Sequence, residues 1–329
     1  MLFSDSTQDL TRKVSALKGF DIIRVRRLNL DRPLLNGLLA ICGLGLVVLY
    51  SAVSQNIELW SQQLIRFFVG LSVMVVAAQL TPDFLRRWTP WCFLAGLILL
   101  TMVLYSGQVG QGAQRWLEIG IRFQPSELMK LAVPMMAAWY LHDRPLPPKF
   151  TDFIVITVLI LIPTIMIARQ PDLGTALLVA ASGLLVIILA GLSIRIMILL
   201  AVSSLPSAFI LWQFMQDYQK QRVLTLFNPD SDPLGAGYNI IQSKIAIGSG
   251  GLFGKGWTNG SQAQLEFLPE RDTDFIFAVI GEEMGLLGVL TLLMLYLFVT
   301  GRGLYIATAA RDTFSRLLAG SISLTFIVY

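Results

Sequence analysis

Glu266-Phe267-Leu268-Pro269-Glu270-Arg271-Asp272-Thr273-Asp274-Phe275-Ile276-Phe277 packs five ionisable side chains against the start of an apolar run that reaches Thr300. That run exceeds the ~20 residues a helix needs to cross a hydrocarbon core. Asp274 is the last charge before it, at the junction of water and hydrocarbon. A carboxylate there can be partly desolvated and still reach a polar molecule presented at a membrane surface. An acid ahead of a helix also caps it, and on position alone the cap is the commoner outcome.

The same apolar pattern recurs along the chain. Hydrophobic residues make up 55% and charged residues 14%, and mean hydropathy is +0.67. Soluble domains carry about 25% charged residues. We read an all-α, polytopic membrane bundle with spans at 34–53, 64–80, 88–105, 128–141, 153–168, 174–192, 196–215, 275–300 and 313–329. Residues 1–33 form a basic segment, and 34–329 form one transmembrane domain. Arg12, Lys13, Lys18, Arg24, Arg26, Arg27 and Arg32 place the N-terminus in the cytoplasm. Arg86, Arg87, Arg144, Lys149, Arg195, Arg302 and Arg311 then fall in cytoplasmic loops, whereas 54–63 holds no Lys or Arg. The net charge of +4 follows this topology and gives no sign of nucleic acid. The first span serves as an uncleaved anchor, because the polar segment before it is too long for a signal peptide. The chain ends at Tyr329 inside an apolar run, so a further helix is expected beyond it.

Two outer segments stand out, 106–126 and 216–273. The second is rich in turn residues, and we expect it to be ordered. It carries an amphipathic stretch, Ile240 to Ile245, suited to the membrane surface. Its Gly248-Ser249-Gly250-Gly251-Leu252-Phe253-Gly254-Lys255-Gly256 fails the P-loop pattern, because Gly256 stands where Ser or Thr is needed. We read it as a flexible segment near a headgroup or sugar. Cys42, Cys92 and the lone His142 have no ligand spacing.

Three further clusters carry candidate chemistry. Glu127 and Lys130, at i and i+3, share a helix face where the fourth span begins. They make either an acidic first turn with a snorkelling lysine or a functional pair facing the bundle interior. Asp172, in Arg169-Gln170-Pro171-Asp172-Leu173-Gly174-Thr175, reads first as the cap of the sixth span. Glu282 and Glu283 interrupt the eighth span, as an ion path in a transporter or as a polar brace in an enzyme.

Several motifs in order resemble the bacterial shape, elongation, division and sporulation family. They are Gln124-Pro125-Ser126-Glu127 with Lys130, Gln170-Pro171-Asp172-Leu173-Gly174-Thr175, Ser231 to Tyr238, Gln242-Ser243-Lys244-Ile245-Ala246-Ile247-Gly248-Ser249-Gly250-Gly251, and Phe267 to Arg271 with Thr273-Asp274-Phe275. The wording from Gln242 to Gly251 is nearer the elongation branch than the division branch. The resemblance implies a ten-helix enzyme of the bacterial cytoplasmic membrane that polymerises peptidoglycan from lipid II at the outer face. It also implies partners, a class B penicillin-binding protein and the other membrane proteins of the elongation complex. By the same resemblance Asp274 is the essential acid, and Glu127 and Lys130 belong to a polar set near a central cavity. The family usually has His where this chain has Asp272, so Asp272 stands as a modulator of Asp274 or a help in holding a cation.

The expected reaction is one inverting displacement at a sugar carried on polyprenyl pyrophosphate. Asp274 acts as base or holds a divalent cation, magnesium or manganese; the sequence leaves both open. Arg222, Arg271 and Lys130 are candidates to meet the pyrophosphate charge, with Arg115, Asp172 and Lys244 as further cavity residues. The competing readings are a flippase of lipid-linked oligosaccharides, which would depend on the charges within the membrane, and a scaffold of the cell-wall machinery.

Overall fold

The computed structural model describes residues 29–328, leaving aside 111–112, 119–121, most of 193–211, and residues 216, 234, 236 and 266. The expected seventh span at 196–215 therefore lies largely outside the described residues, as does most of the basic N-terminal segment. Six helices come first: α1 (Arg32–Ala52), α2 (Ile57–Ala77), α3 (Pro82–Ser106), α4 (Pro125–Leu141), α5 (Phe150–Ala168) and α6 (Leu173–Leu189). The segment between the expected seventh and eighth spans adds α7 (Asp217–Phe227), α8 (Tyr238–Ser249) and the single turn α9 (Ser261–Gln264). Then come α10 (Ile276–Ala309) and α11 (Thr313–Val328). By length and composition α1, α2, α3, α5 and α10 can each cross a bilayer, and α6 and α11 are shorter apolar helices.

Local chemistry sets the helix starts. Asp31, Asn56, Thr81 and Asp172 each accept a backbone N–H of the helix that follows. Pro82 and Pro125 stand in first turns, where a missing N–H costs nothing. Pro90, Pro134 and Pro163 sit inside helices. Membrane helices accept this when neighbours re-satisfy the freed backbone groups.

The main core joins α3, α4, α5, α6 and α11 through Leu100, Met129, Leu141, Ile156, Val179 and Phe314, all essentially inaccessible. A second cluster of Val48, Ala52, Val279 and Ile280 seats α1 on α10. Phe68, Val73, Ile165, Leu177 and Leu293 remain exposed, as a lipid-facing shell requires. In lipid such faces gain no hydrophobic energy from pairing, so close packing and buried polar contacts hold the bundle together.

The segment expected as a plain outer loop, 106–126, departs from all-α. It holds an antiparallel sheet of β1 (Gln108–Gly110), β2 (Ala113–Glu118) and β3 (Arg122–Phe123). Its short strands pair their own backbone groups, which a bare loop over the bundle would leave to solvent. Leu117 and Arg115 lie two apart on β2 and so on one face; Leu117 is buried.

Candidate functional site

The polar residues predicted at the outer ends of α4 and α6 converge on one cavity of about 520 Å³, within the range of small-molecule sites. Pro125 starts α4, so Glu127 falls in the first turn and Lys130 one turn on. Lys130 Nζ lies 2.8 and 2.9 Å from the two Glu127 oxygens. The lysine is largely buried and the glutamate half exposed, so the pair stands at the cavity wall with its acid toward the opening. Asp172 does what a cap does, accepting the Thr175 N–H at 3.3 Å. It does more as well. Its Oδ2 lies 3.4 Å from Arg115 Nε and accepts from Gln124 Nε2 at 3.3 Å. Arg222 and Gln219 of α7 close the far side. The wall thus carries three cations (Arg115, Lys130, Arg222) and two carboxylates (Glu127, Asp172), a net positive lining suited to a phosphate group. Gln219 was not singled out from sequence, since an amide in a polar loop carries no signal of its own.

Glu127 and Lys130 also border a second space of about 420 Å³, lined by Leu131, Ile322, Thr325 and Phe326 between α4 and α11. A charged hollow and a largely apolar slot therefore share the Glu127–Lys130 wall. That combination fits a polar headgroup with a long hydrocarbon tail.

Asp274, Asp272, Arg271 and Lys244 do not line this cavity. Asp274 is exposed in the turn just before α10. The cap reading of Asp274 fails, because the N-cap position belongs to Phe275, which has no side-chain acceptor. The helix starts one residue later than the apolar run suggested, and Asp274 is left outside it. The turn is held from both ends. Arg271 donates from Nε to the Ala52 carbonyl at 2.7 Å and from Nη2 to Ser54 Oγ at 2.8 Å, tying the turn to the end of α1. The N–H groups of Thr273 and Phe275 both donate to the Glu270 carbonyl at 3.2 Å. Leu268 is buried with Ala246 and Ala278. Arg271 therefore positions the turn, and Lys244 is exposed on α8. Asp272 lines a different hollow, beside Arg66. Among the described residues no three acidic, histidine or cysteine side chains converge as a metal site. One or two carboxylates completed by substrate phosphates would suffice for magnesium, so Asp274 fits a cation that arrives with its substrate.

The glycine-rich segment is not the flexible loop its composition suggested. Helix α10 breaks at Gly285 (φ 64, ψ −159), and the segment is strapped across the break. Leu286 and Leu287 turn their N–H groups away from α10 and donate to Gly251 O (2.9 Å) and Leu252 O (3.2 Å). The carbonyls they would have met, those of Glu282 and Glu283, accept instead from Lys255 N–H (2.9 Å) and Gly256 N–H (3.0 Å). Two helical bonds are exchanged for four to the strap. The approach demands glycine, because a Cβ at Gly254 or Gly250 would run into the carbonyls of Glu283 and Gly281. The side chains complete the joint. Glu282, wholly buried, accepts from Lys255 Nζ (2.7 Å), Ser261 Oγ (3.0 Å) and Gln262 N–H (3.0 Å). Ser51 of α1 donates to Glu283 Oε1 at 2.5 Å, and Gln264 donates to the Ser51 carbonyl at 3.3 Å. Of the two readings of this acidic pair, the geometry is that of a brace, welding the segment 250–264 to α1 and α10.

Residues 32–329 match the family described as cell cycle protein, FTSW_RODA_SPOVE. Over 308 residues the chain is 50% identical to "Peptidoglycan glycosyltransferase MrdB" of Escherichia coli K12, covering 92% of this chain and 82% of that protein. It is 35% identical over 315 residues to "Probable peptidoglycan glycosyltransferase FtsW" of Trichlorobacter lovleyi, covering 91% and 81%. Among solved structures, a chain described under "Structural coordination of polymerization and crosslinking by a peptidoglycan synthase complex" superposes with a TM-score of 0.76 at 30% identity, covering 90% of this chain and 83% of that one. The rod shape determining protein RodA of Thermus thermophilus gives 0.66 at 28%, covering 91% and 82%. Motifs, helical architecture and these likenesses converge, and the chain belongs to the FtsW/RodA/SpoVE family of cell cycle proteins.

Proposed function

We propose that this chain is a peptidoglycan glycosyltransferase that polymerises lipid II at the outer face of the cytoplasmic membrane, working with a class B penicillin-binding protein. The observation that carries the reading is the pair of spaces that share Glu127 and Lys130 in their walls, one cationic and one largely apolar. They match the pyrophosphate and the polyprenyl tail of one lipid-linked donor. The named activity of relatives at 50% and 35% identity supports it.

Transfer from an α-linked pyrophosphate to a β-glycoside inverts the anomeric centre and needs one displacement and one base. Asp274 takes the proton of the acceptor hydroxyl, a role worth ~10²–10⁴-fold in rate. Arg115, Lys130 and Arg222 stabilise the charge that grows on the departing pyrophosphate. Asp172 orients Arg115 for this work, and Glu127 orients Lys130. Where Asp274 served instead as a ligand, it and a substrate phosphate would hold a magnesium or manganese ion, and the chemistry supplied would be charge neutralisation of the leaving group. Arg271 contributes by fixing the turn that bears Asp274.

The test is polymerisation of labelled lipid II by the full-length protein, with its penicillin-binding partner, beside the folded Asp274→Ala variant. Glycan ladders from wild type that fall at least 100-fold in the variant are expected. Ladders of equal intensity from both would remove Asp274 from the chemistry. Absence of ladders from wild type would turn the reading toward a flippase or scaffold.

A further inference from the structure

A second hollow, of about 470 Å³, lies beside the Asp274 turn, and no residue lines both it and the cationic cavity. Its walls are α1, the first half of α2 and the turn at 272–273. Helix α2 buries no residue, and it shows Phe68, Val69, Val73 and Val76 to lipid. Yet Gln62, Gln63 and Arg66 line the hollow from that helix. Long polar side chains on an otherwise lipid-facing helix are costly unless they meet a polar space. Arg66 Nη1 donates to Gln63 Oε1 at 3.3 Å, which uses only part of a guanidinium with five N–H donors. Asp272, which is exposed, lines the same hollow.

The chemistry differs from that of the first cavity. One guanidinium, one carboxylate and two amides make a lining that is neutral overall and offers donors and acceptors together. A pyrophosphate prefers net positive charge; an uncharged ring bearing hydroxyl and acetamido groups needs this mixed set. Leu59, Phe67 and Ile276 supply an apolar wall for the C–H face of such a ring.

Resting on the glycosyltransferase reading above, we infer that this hollow is the acceptor subsite, holding the terminal amino sugar of the acceptor through Gln62, Gln63, Arg66 and Asp272. Thr273 lines the hollow and Asp274 follows it in the chain, so the base stands on the acceptor's side. The acceptor hydroxyl oxygen bonds to the donor's anomeric carbon as the bond from that carbon to the pyrophosphate oxygen breaks. The leaving pyrophosphate keeps the electron pair, and the hydroxyl proton passes to Asp274.

The experiment separates the two substrates. Full-length protein with its penicillin-binding partner, in lipid nanodiscs, receives saturating lipid II whose own acceptor hydroxyl is blocked, so that it serves only as donor. An unblocked short lipid-linked glycan is then titrated as acceptor. Arg66→Ala and Gln62→Ala should each raise the acceptor KM about tenfold, the cost of one lost hydrogen bond to a charged or well-aligned group. Donor KM and kcat should stay within about twofold. Neither side chain packs in a core, and a melting temperature matching wild type verifies the fold. An unchanged acceptor KM, or an equal rise in donor KM, overturns the assignment. If wild type couples the two substrates not at all, the glycosyltransferase reading falls and this inference with it.

Discussion

Replacing Lys255 with Met keeps the aliphatic stem and removes the ammonium that Glu282 faces at 2.7 Å. Glu282 has no solvent exposure, so its carboxylate keeps Ser261 Oγ and the Gln262 N–H but loses the ammonium that balanced its charge. Removing one partner of a buried ion pair costs ~3–5 kcal/mol, most of it the desolvation of the survivor. The lysine side chain is 29% exposed and two hydrogen bonds remain, which puts the expected loss at the lower end, ~3 kcal/mol. Glu282→Gln alone removes the charge but keeps an acceptor for Ser261 and Gln262; its cost is ~1–2 kcal/mol. The double variant therefore recovers part of the loss, with a coupling of ~2 kcal/mol, inside the range for contacting residues. Reversible unfolding in mixed micelles measures all four corners of the cycle. Amide exchange at Leu286 and Leu287 reports the strap directly, because both N–H groups donate into it. A Lys255→Met protein within ~0.5 kcal/mol of wild type, or strictly additive losses, would refute the brace; the threshold is the usual scatter of uncoupled sites.

Three other perturbations follow from the same contacts. Gly285→Ala places a Cβ against the Gly254 N–H and the Leu252 carbonyl, in a backbone region essentially reserved for glycine. It should cost ~3 kcal/mol or more and expose the Gly254–Gly256 amides to exchange, and wild-type protection there would contradict the strap. Arg302 donates to both Asp31 oxygens (3.0 and 2.8 Å) and holds this carboxyl below its ordinary value. A depressed folded value means the stabilisation is complete above the unfolded value of ~3.9 and fades as pH falls through the folded one. Asp31→Asn should therefore lose up to ~1 kcal/mol at neutral pH, and its difference from wild type should shrink below about pH 4; a gap that persists to pH 2 would deny the pairing. Asp172→Asn keeps a good cap but weakens the hold on Arg115, so it should melt near wild type while polymerising at least ~10-fold more slowly. Full activity in that variant would reduce Asp172 to a cap.

The spans were legible because a bilayer permits so few answers: a long apolar run must close its own backbone bonds, and α1, α4, α5 and α6 begin within about three residues of the expected spans, whereas α2 and α3 begin earlier, at Ile57 and Pro82, because the caps Asn56 and Thr81 start each helix ahead of its apolar run. The Glu127, Lys130 and Asp172 positions were legible for a related reason. Charges at span ends are rare enough to be noticed one by one. Their convergence with Arg115 and Arg222 was not, since β2 and α7 reach the cavity by tertiary packing that no local pattern encodes. Asp274 shows the opposite case. Its place at the edge of the apolar run was plain, but the helix start moved by one residue and turned an apparent cap into an exposed acid. The strap at 250–256 was misread because glycine density signals flexibility in a chain considered alone. Here glycine is required by close approach to the carbonyls of α10, and the missing Cβ atoms make room for hydrogen bonds that fix the loop.

Ionisable side chains within a membrane bundle are functional by default. This fold holds two kinds, and what separates them is how far their bonding capacity is used. Glu282 sits at full burial with a lysine, a hydroxyl and a backbone N–H, and no approach to it is open. Such a group can fix a joint, but with no solvent exposure it offers no route for a ligand. Glu127 shares Lys130 at a cavity wall, with half its surface exposed and an apolar slot on the other side. Its interactions can be exchanged when a phosphate arrives, because the lysine need only turn from one anion to another. The transporter reading drew on Glu282, Glu283, Glu127 and Lys130 together, and of these Glu282 and the Oε1 of Glu283 are held in the brace. What remains exchangeable lies at the N-terminal ends of α4 and α6, on α7 and on the Asp274 turn. There a headgroup can be held while its tail stays in the membrane.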